Sequence, residues 1–185
     1  SVNLSAVEKD QIVAQLNSQV NVTSTNFHDN IPTEYGGGAM YCVGANIVVK
    51  ASTFRRNIGS NSLGGGIMCS DKSTCSFDAC EFSNPSSPID LTLSLSSKGG
   101  AITVDRSFGY IKDCHFHDIK TKTGGVVSVS TDGTAEIETS TFQKCSGSEG
   151  AALYMEDSTV SVIDSTFKNN FAIYDGGAIR ISRSS

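Results

Sequence analysis

Six cysteines are the side chains with the clearest chemical potential in this 185-residue sequence. They are Cys42, Cys69, Cys75, Cys80, Cys114 and Cys145. None of their spacings matches the C-x-x-C pairs of zinc sites, so we expect no metal site and no cofactor. Two disulfides are candidates instead: Cys69 with Cys75, which bracket a short turn, and Cys80 with Cys114, which each precede a Phe by two residues. Pairing of Cys42 with Cys69 and a ladder of unpaired buried thiols are the alternatives.

The histidines and carboxylates are the other candidates for acid–base or metal chemistry. His115 and His117 flank a Phe, and His28 follows another Phe, so all three are predicted to face solvent. The carboxylates that could share a surface are Asp113, Asp118, Asp132, Glu136 and Glu138. They form no column with a matching Lys or Arg, and acid–base catalysis needs converging groups. The sequence therefore predicts no catalytic residue.

Two sequons mark candidate sites for N-glycosylation. They are Asn3-Leu4-Ser5 and Asn21-Val22-Thr23. Asn21 stands between two apolar residues of an alternating segment, so its side chain is predicted to project into solvent, where a glycan has room. Glycans are therefore candidate partners of this chain.

The strands on which these residues lie are predicted from a repeat of two short signatures. Gly-Gly-small-aliphatic boxes begin at Gly37, Gly65, Gly99, Gly124 and Gly176, with a weaker copy at Gly150. Small-x-Phe boxes centre on Phe27, Phe54, Phe82, Phe116, Phe142 and Phe167. From a Gly box to the next Phe is 17 residues in four units and 18 in one, whereas the return varies from 8 to 17. One constant unit with a variable loop, repeated at this period, indicates a solenoid.

Each unit contains short segments in which apolar residues stand two apart, as on one face of a strand. Ile47 and Val49 do so before Phe54, and Met68 and Ser70 are predicted to do so after the second Gly box, with Cys69 facing the other way. A single unit cannot cover such faces, whereas stacked units can. The six Phe rings would then form a column at a strand spacing of about 4.8 Å. The sequence predicts an all-β parallel β-helix, or β-solenoid, of about six coils.

The Gly boxes combine with an F-x-x-N motif that is complete at Phe27–Asn30, Phe54–Asn57 and Phe167–Asn170. The combination resembles the repeats of the chlamydial polymorphic outer membrane proteins. It is also similar to the wider class of right-handed parallel β-helix surface proteins, some of them from protists. The resemblance covers the chain from about residue 20 onward. It implies a right-handed helix and an extracellular or cell-surface location, but no reaction.

The two ends of the chain differ in their patterns. Residues 1–19 form the predicted cap segment, with a short helix over 6–17 that begins at the capping box Ser5-Ala6-Val7-Glu8. A further degenerate coil is the alternative. Residues 20–185 form the predicted β-helix, with an extended loop at 83–98, whose alternating leucines suggest an extra strand, and an unfinished coil at 176–185.

The unfinished coil favours self-association, because an uncapped strand edge is a template for another chain. Either the chain continues or this end stacks on a second copy, and a head-to-tail contact propagates into a filament. The net charge of −5 is evenly spread, so no nucleic-acid partner is expected. No apolar run approaches the roughly 18 residues that membrane insertion requires.

The function predicted from the sequence is structural and non-enzymatic. We expect an extracellular or cell-surface β-solenoid, a stalk, adhesin module or fibril subunit that stacks head to tail and carries glycans. A carbohydrate-active β-helix enzyme and a glycan-binding adhesin module are the alternatives.

Overall fold

The computed structural model describes residues 2–5, 12–31, 36–59, 65–84, 99–121 and 124–183, and its regular elements there are all β-strands. The first eleven are β1 (Val2–Ser5), β2 (Ile12–Ala14), β3 (Gln19–Thr23), β4 (Asn26–His28), β5 (Met40–Val43), β6 (Asn46–Lys50), β7 (Thr53–Arg55), β8 (Ile67–Ser70), β9 (Thr74–Asp78), β10 (Glu81–Ser83) and β11 (Ile102–Asp105). The others are β12 (Phe108–Lys112), β13 (His115–His117), β14 (Val127–Ser130), β15 (Thr134–Glu138), β16 (Thr141–Gln143), β17 (Ser146–Glu149), β18 (Leu153–Glu156), β19 (Thr159–Ile163), β20 (Thr166–Lys168), β21 (Phe171–Asp175) and β22 (Ile179–Ser182).

The strands stack into three parallel sheets around one core. Sheet A contains β1, β3, β6, β9, β12, β15 and β19; sheet B contains β4, β7, β10, β13, β16 and β20; sheet C contains β2, β5, β8, β11, β14, β18 and β22. Strands β17 and β21 form a separate pair. The chain visits sheets A, B and C in turn, so about five turns of a solenoid separate β4 from β20. The parallel β-solenoid predicted from the sequence is confirmed.

The register of sheets A and B is the one obtained by aligning the repeats on their Phe residues. In sheet A the Cα partners run Val20, Ile47, Cys75, Gly109, Ala135 and Val160. In sheet B each Phe pairs with the Phe of the next coil. Strands in the same sheet therefore point the same repeat positions toward the core.

The second Gly box is shifted by one residue relative to the sequence prediction, which was wrong here. Ile67, not Met68, is the Cα partner of Met40. Gly66 consequently holds the place that an alanine takes in both neighbouring coils. A shift of one residue exchanges the two faces of a strand. Cys69 therefore faces the core and is fully buried.

The helix predicted over residues 6–17 is not found in the described part of this segment. Ile12–Ala14 is strand β2 and pairs with β5, while Val2–Ser5 is strand β1 and pairs with β3. Asn17 has a left-handed φ of 61°, which no α-helix continues through. Residues 6–11 lie outside the described residues. In the described residues of this segment both strands continue the coil pattern, which is what the alternative of a further degenerate coil expects.

The six Phe rings of sheet B form one stacked column through the core. Neighbouring centroids lie 4.6 to 4.8 Å apart, and the planes differ by 9° or less. Aromatic pairs otherwise prefer offset or edge-to-face contacts. Here the parallel register repeats one backbone position at the strand spacing, so each ring must lie directly over the next.

The small residue before each Phe closes the turn between sheets A and B. The residue that precedes it has a positive φ, as at Ala51 and Thr139, both 46°. The hydroxyls of Ser52 and Ser140 each donate to the carbonyl two residues earlier at 2.8 Å. The same oxygen of Ser140 accepts the backbone N–H of Cys114 in the preceding coil. The small side chain thus satisfies buried backbone groups that the bend leaves unpaired.

The Asn of the F-x-x-N motif joins successive coils. The Nδ2 of Asn57 donates to the carbonyl of Phe27 at 2.9 Å, and the Nδ2 of Asn170 donates to that of Phe142 at 3.0 Å. The Oδ1 of Asn170 also accepts the backbone N–H of Cys145. A buried amide in this place supplies one donor and one acceptor across the coil boundary.

Candidate functional site

The last coil leaves its core-facing side chains uncovered. Val162 is 39% exposed and Ile181 is 72% exposed, whereas Ile137 and Val129, in the same columns of earlier coils, are 0% exposed. Strands β19, β20 and β22 are the last described strands of sheets A, B and C. The side chains at this surface, called the open end below, are those of Val162, Phe167, Ile179 and Ile181.

A second exposed apolar group lies beside the open end. Phe171, Ile173 and Tyr174 of β21 are all exposed. Together with the open end they make an apolar surface of the kind that marks an interaction site in soluble proteins. The strand edges beneath it carry backbone donors and acceptors, so the surface can accept both apolar contacts and a parallel strand.

Three of the six cysteines lie together inside the first coils. Cys69 and Cys75 form a disulfide with a Cα–Cα distance of 6.6 Å. Cys42 is a free thiol, and its sulfur and the two disulfide sulfurs all lie within 4.8 Å of one another. All three residues are buried, and burial raises the pKa of the Cys42 thiol.

The other three cysteines are buried free thiols. Cys80 and Cys114, predicted as a candidate disulfide, are not bonded to each other here. Each takes the place of a small hydroxyl residue in the turn, and the Cys114 thiol donates to the carbonyl of Lys112 at 3.1 Å. Its hydrogen bond with Cys80 raises the pKa of Cys114. Burial raises the pKa of Cys145 to about 12, so little of this thiol is ionised near neutral pH.

His117 connects two coils on the outer face of sheet B. Its Nε2 lies 3.0 Å from a carboxylate oxygen of Glu81, and its Nδ1 lies 2.9 Å from one of Asp118. Only a protonated imidazole donates through both nitrogens. Burial lowers the pKa of His117, but the hydrogen bonds with Asp118 and Glu81 outweigh it, and the pKa is raised. The sequence predicted that His117 faces outward, but it did not predict the contact with Glu81. Aligning the repeats on their Phe residues would have placed Glu81 one coil away from His117.

We expect this bridge to make stability depend on pH. Because the folded pKa of His117 lies above the unfolded value of about 6.5, its contribution is complete below that pH. The contribution is lost as the pH rises through the folded pKa. The difference in free energy of unfolding between the wild type and His117→Gln, measured with urea, should therefore shrink from pH 6 to pH 9.

The variant Glu81→Gln is the control for the bridge. It keeps the imidazole and the Asp118 carboxylate but removes the Glu81 charge that favours the protonated imidazole. The difference in free energy of unfolding between this variant and the wild type should therefore also shrink from pH 6 to pH 9. A His117→Gln difference that stays constant with pH would contradict the bridge.

Ion pairs join neighbouring coils at other outer turns. The Arg56 guanidinium hydrogen-bonds to both carboxylate oxygens of Asp29, and it lowers the pKa of that carboxyl to about 2. Arg106 binds Asp71 in the preceding coil at 2.7 Å. Exposed pairs of this kind each contribute little to the free energy of unfolding.

The comparison with protein families decides what kind of solenoid this is. A family model described as a right-handed beta helix region matches residues 1–185. The chain belongs to this family. The right-handed β-helix is thereby established, while the narrower resemblance to polymorphic outer membrane proteins stays a prediction.

One curated relative of this right-handed β-helix is a metabotropic glutamate receptor-like protein R of Dictyostelium discoideum. The two are 29% identical over 153 residues, which cover 81% of this chain and 9% of that protein. The chain thus spans a small part of the relative it matches. No solved structure matches the chain. In the described residues, no helix is both long and apolar enough to cross a membrane.

The carboxylates singled out in the sequence lie in three turns and in one strand of the right-handed β-helix. Asp113 and Asp118 are in turns before and after β13, and Asp132 is in a turn between sheets C and A, all three with positive φ. Glu136 and Glu138 are in β15, where Glu138 accepts a hydrogen bond from the hydroxyl of Tyr110 at 3.0 Å. Turn geometry accounts for the three aspartates, and a cross-strand hydrogen bond accounts for Glu138.

Both sequons lie in sheet A of the right-handed β-helix. Asn21 is exposed in β3, as the alternation predicted. Asn3 is its Cα partner in β1, so the two sequons occupy neighbouring strands. Glycosylation at Asn3 and Asn21 stays a prediction.

Proposed function

We propose that this protein is a non-enzymatic structural module of an extracellular or cell-surface protein, a stalk or fibre segment whose coils stack head to tail. The observation that carries the proposal is the open end. There the apolar columns of the core stop at side chains that the next coil would bury.

The interior explains how such a module resists unravelling. Each coil contributes backbone hydrogen bonds to both neighbours, as in the bond from Thr141 N–H to the Cys114 carbonyl. The Phe column and the Asn amides repeat this connection at fixed positions. In a solenoid, stability is the sum of such nearest-neighbour interfaces, so every added coil stabilises the one before it.

A second copy of the chain is the proposed occupant of the open end. The interface it would make already recurs between successive coils inside the molecule, with parallel strands and aligned apolar columns. Because the two ends of the solenoid differ, contact between them is heterologous and extends into a filament. With about six coils at about 4.8 Å each, the axial repeat would be about 30 Å.

A surface location is supported by the receptor-like name of the Dictyostelium relative and by the disulfide, since disulfides persist in oxidising compartments. The outer faces, where Asn21 lies, have room for glycans. These faces would contact other molecules, while the contacts between coils in the core would resist unfolding.

A charge placed on the open end should abolish self-association. We expect the wild type to form longer particles as its concentration rises, whereas Val162→Lys stays monomeric, because a lysine cannot be buried at a stacked interface without a partner. Ser161→Lys is the matched control: it adds the same charge to the outward face of the same strand and should assemble like the wild type. Light scattering and electron microscopy measure the outcome.

Two results would contradict the proposal. One is a wild type that stays monomeric at every concentration at which the variants are compared. The other is cleavage of a polysaccharide by purified protein, which would favour a carbohydrate-active enzyme instead.

A further inference from the structure

Cys42 lies directly beside the disulfide of the neighbouring coil. Cys42 in β5 and Cys69 in β8 are Cα partners in sheet C. Cys75, in β9 of sheet A, is bonded to Cys69. The three sulfurs lie within 4.8 Å of one another, and all three residues are fully buried. Cys69 therefore has two possible disulfide partners, Cys42 and Cys75.

Both pairings satisfy the reach of a disulfide. Bonded cysteines have Cα atoms roughly 4.4 to 6.8 Å apart. Cys69 and Cys75 are 6.6 Å apart, and directly opposed residues in parallel strands are separated by about 4.8 Å. Cys69 can therefore bond to Cys75 within its own coil or to Cys42 in the coil before it.

We propose that Cys42, Cys69 and Cys75 form a thiol–disulfide exchange site that moves the disulfide from within a coil to between two coils. The Cys42 thiol loses its proton, and its thiolate attacks the sulfur of Cys69. The Cys42–Cys69 bond forms as the Cys69–Cys75 bond breaks, and Cys75 leaves as a thiolate that takes up a proton. One thiol and one disulfide are present before and after, so no oxidant or reductant is consumed.

The exchange changes what the disulfide holds together. The bond between Cys69 and Cys75 closes a separation of 6 residues, inside one turn. A bond between Cys42 and Cys69 closes 27 residues, counted as 69 minus 42, and ties two coils covalently. A longer closed loop constrains the unfolded chain more strongly. The inference concerns the first coils alone, so it stands or falls independently of assembly at the open end.

Burial sets the pace of the exchange. The raised pKa of Cys42 leaves little thiolate in the closed structure. Attack therefore proceeds through local opening of the first coils or at raised pH. The pair Cys69–Cys75 is the resting form, and Cys42–Cys69 forms when these coils are loosened.

Peptide mapping without reduction tests the inference, because Lys50 and Lys72 let trypsin place the three cysteines on separate peptides. The variant Cys75→Ser, treated with oxidised glutathione, should lose two free thiols and yield a Cys42–Cys69 peptide. Wild-type protein incubated at pH 7, 8 and 9 and then trapped by alkylation should yield the same peptide in amounts that grow with pH. Cys42→Ser is the control and should yield Cys69–Cys75 alone.

Either half of the experiment can overturn the site. The oxidised Cys75→Ser variant is denatured and then alkylated. If every Cys42 thiol is alkylated, no disulfide has formed, and the two strands do not bring Cys42 and Cys69 into bonding reach. If the wild type yields only Cys69–Cys75 at every pH, Cys42 is an inert core thiol. The wild-type arm needs no substitution, so it decides the matter even if the variant folds poorly.

Discussion

Replacing Phe116 by Ala should lower the free energy of unfolding by about 3–5 kcal/mol, the usual cost of truncating a buried aromatic side chain. Phe116 is 0% exposed and its ring stacks on those of Phe82 and Phe142, with centroids 4.7 and 4.6 Å away. Removing the ring leaves a void in the middle of the column and breaks both stacked contacts. Urea unfolding followed by circular dichroism measures the loss.

Phe167→Ala is the matched control for the column. Phe167 holds the same repeat position in the last coil, but it is half-buried and stacks on one ring only, that of Phe142. Its loss should be less than half of the loss at Phe116. Equal losses would mean that burial within the column does not determine the contribution of each ring.

Replacing Gly125 by Ala should destabilise the fold by about 1–3 kcal/mol or more, as overpacking does when backbone must move. A Cβ atom on Gly125 would lie 2.6 Å from the carbonyl oxygen of Gly150 and 2.7 Å from the backbone nitrogen of Tyr154. Both atoms belong to the next coil. The glycine is needed because two coils meet at this corner with no room for a side chain.

Gly177→Ala tests the same corner at the open end. Gly177 takes the position of Gly125 in the last coil, and the atom nearest to a Cβ at this position would be the carbonyl oxygen of Asn170 at 4.0 Å. We expect no loss in the free energy of unfolding of the monomer. If a second copy stacks there, however, the methyl group should weaken assembly as Val162→Lys does. A variant as unstable as Gly125→Ala would contradict this account of the Gly box.

The two glycine variants separate folding from assembly. Light scattering on folded Gly177→Ala reports the contact between copies, whereas urea unfolding of Gly125→Ala reports the contact between coils. Normal assembly of Gly177→Ala would count against a coil-like contact at the open end and would leave the solenoid itself unaffected.

The sequence predicted the register of sheets A and B, because the Phe boxes are regular and the apolar and polar residues around them alternate strictly. Val20 and Ile47 could be aligned without a structure, since both stand seven residues before a Phe. The second Gly box was misaligned because Gly66 takes the position of Ala39 and Ala101 in the neighbouring coils. The residue after the Gly pair, Ile67, therefore lies one position further along the repeat than Ala39 does. The strands Val2–Ser5 and Ile12–Ala14 were not predicted for a related reason: local signals do not record which strand edge a segment can complete.

The architecture follows from the repeat alone, because its apolar positions can be buried only when copies of the unit stack, and stacked copies of such strands make a parallel solenoid. The repeat also indicated the six-ring Phe column. The contacts between coils are visible only in the folded chain, such as the proximity of Cys42 to Cys69 and that of His117 to Glu81. Those contacts join residues about 25 to 36 positions apart, and one residue of register decides whether a side chain points to the core or to solvent.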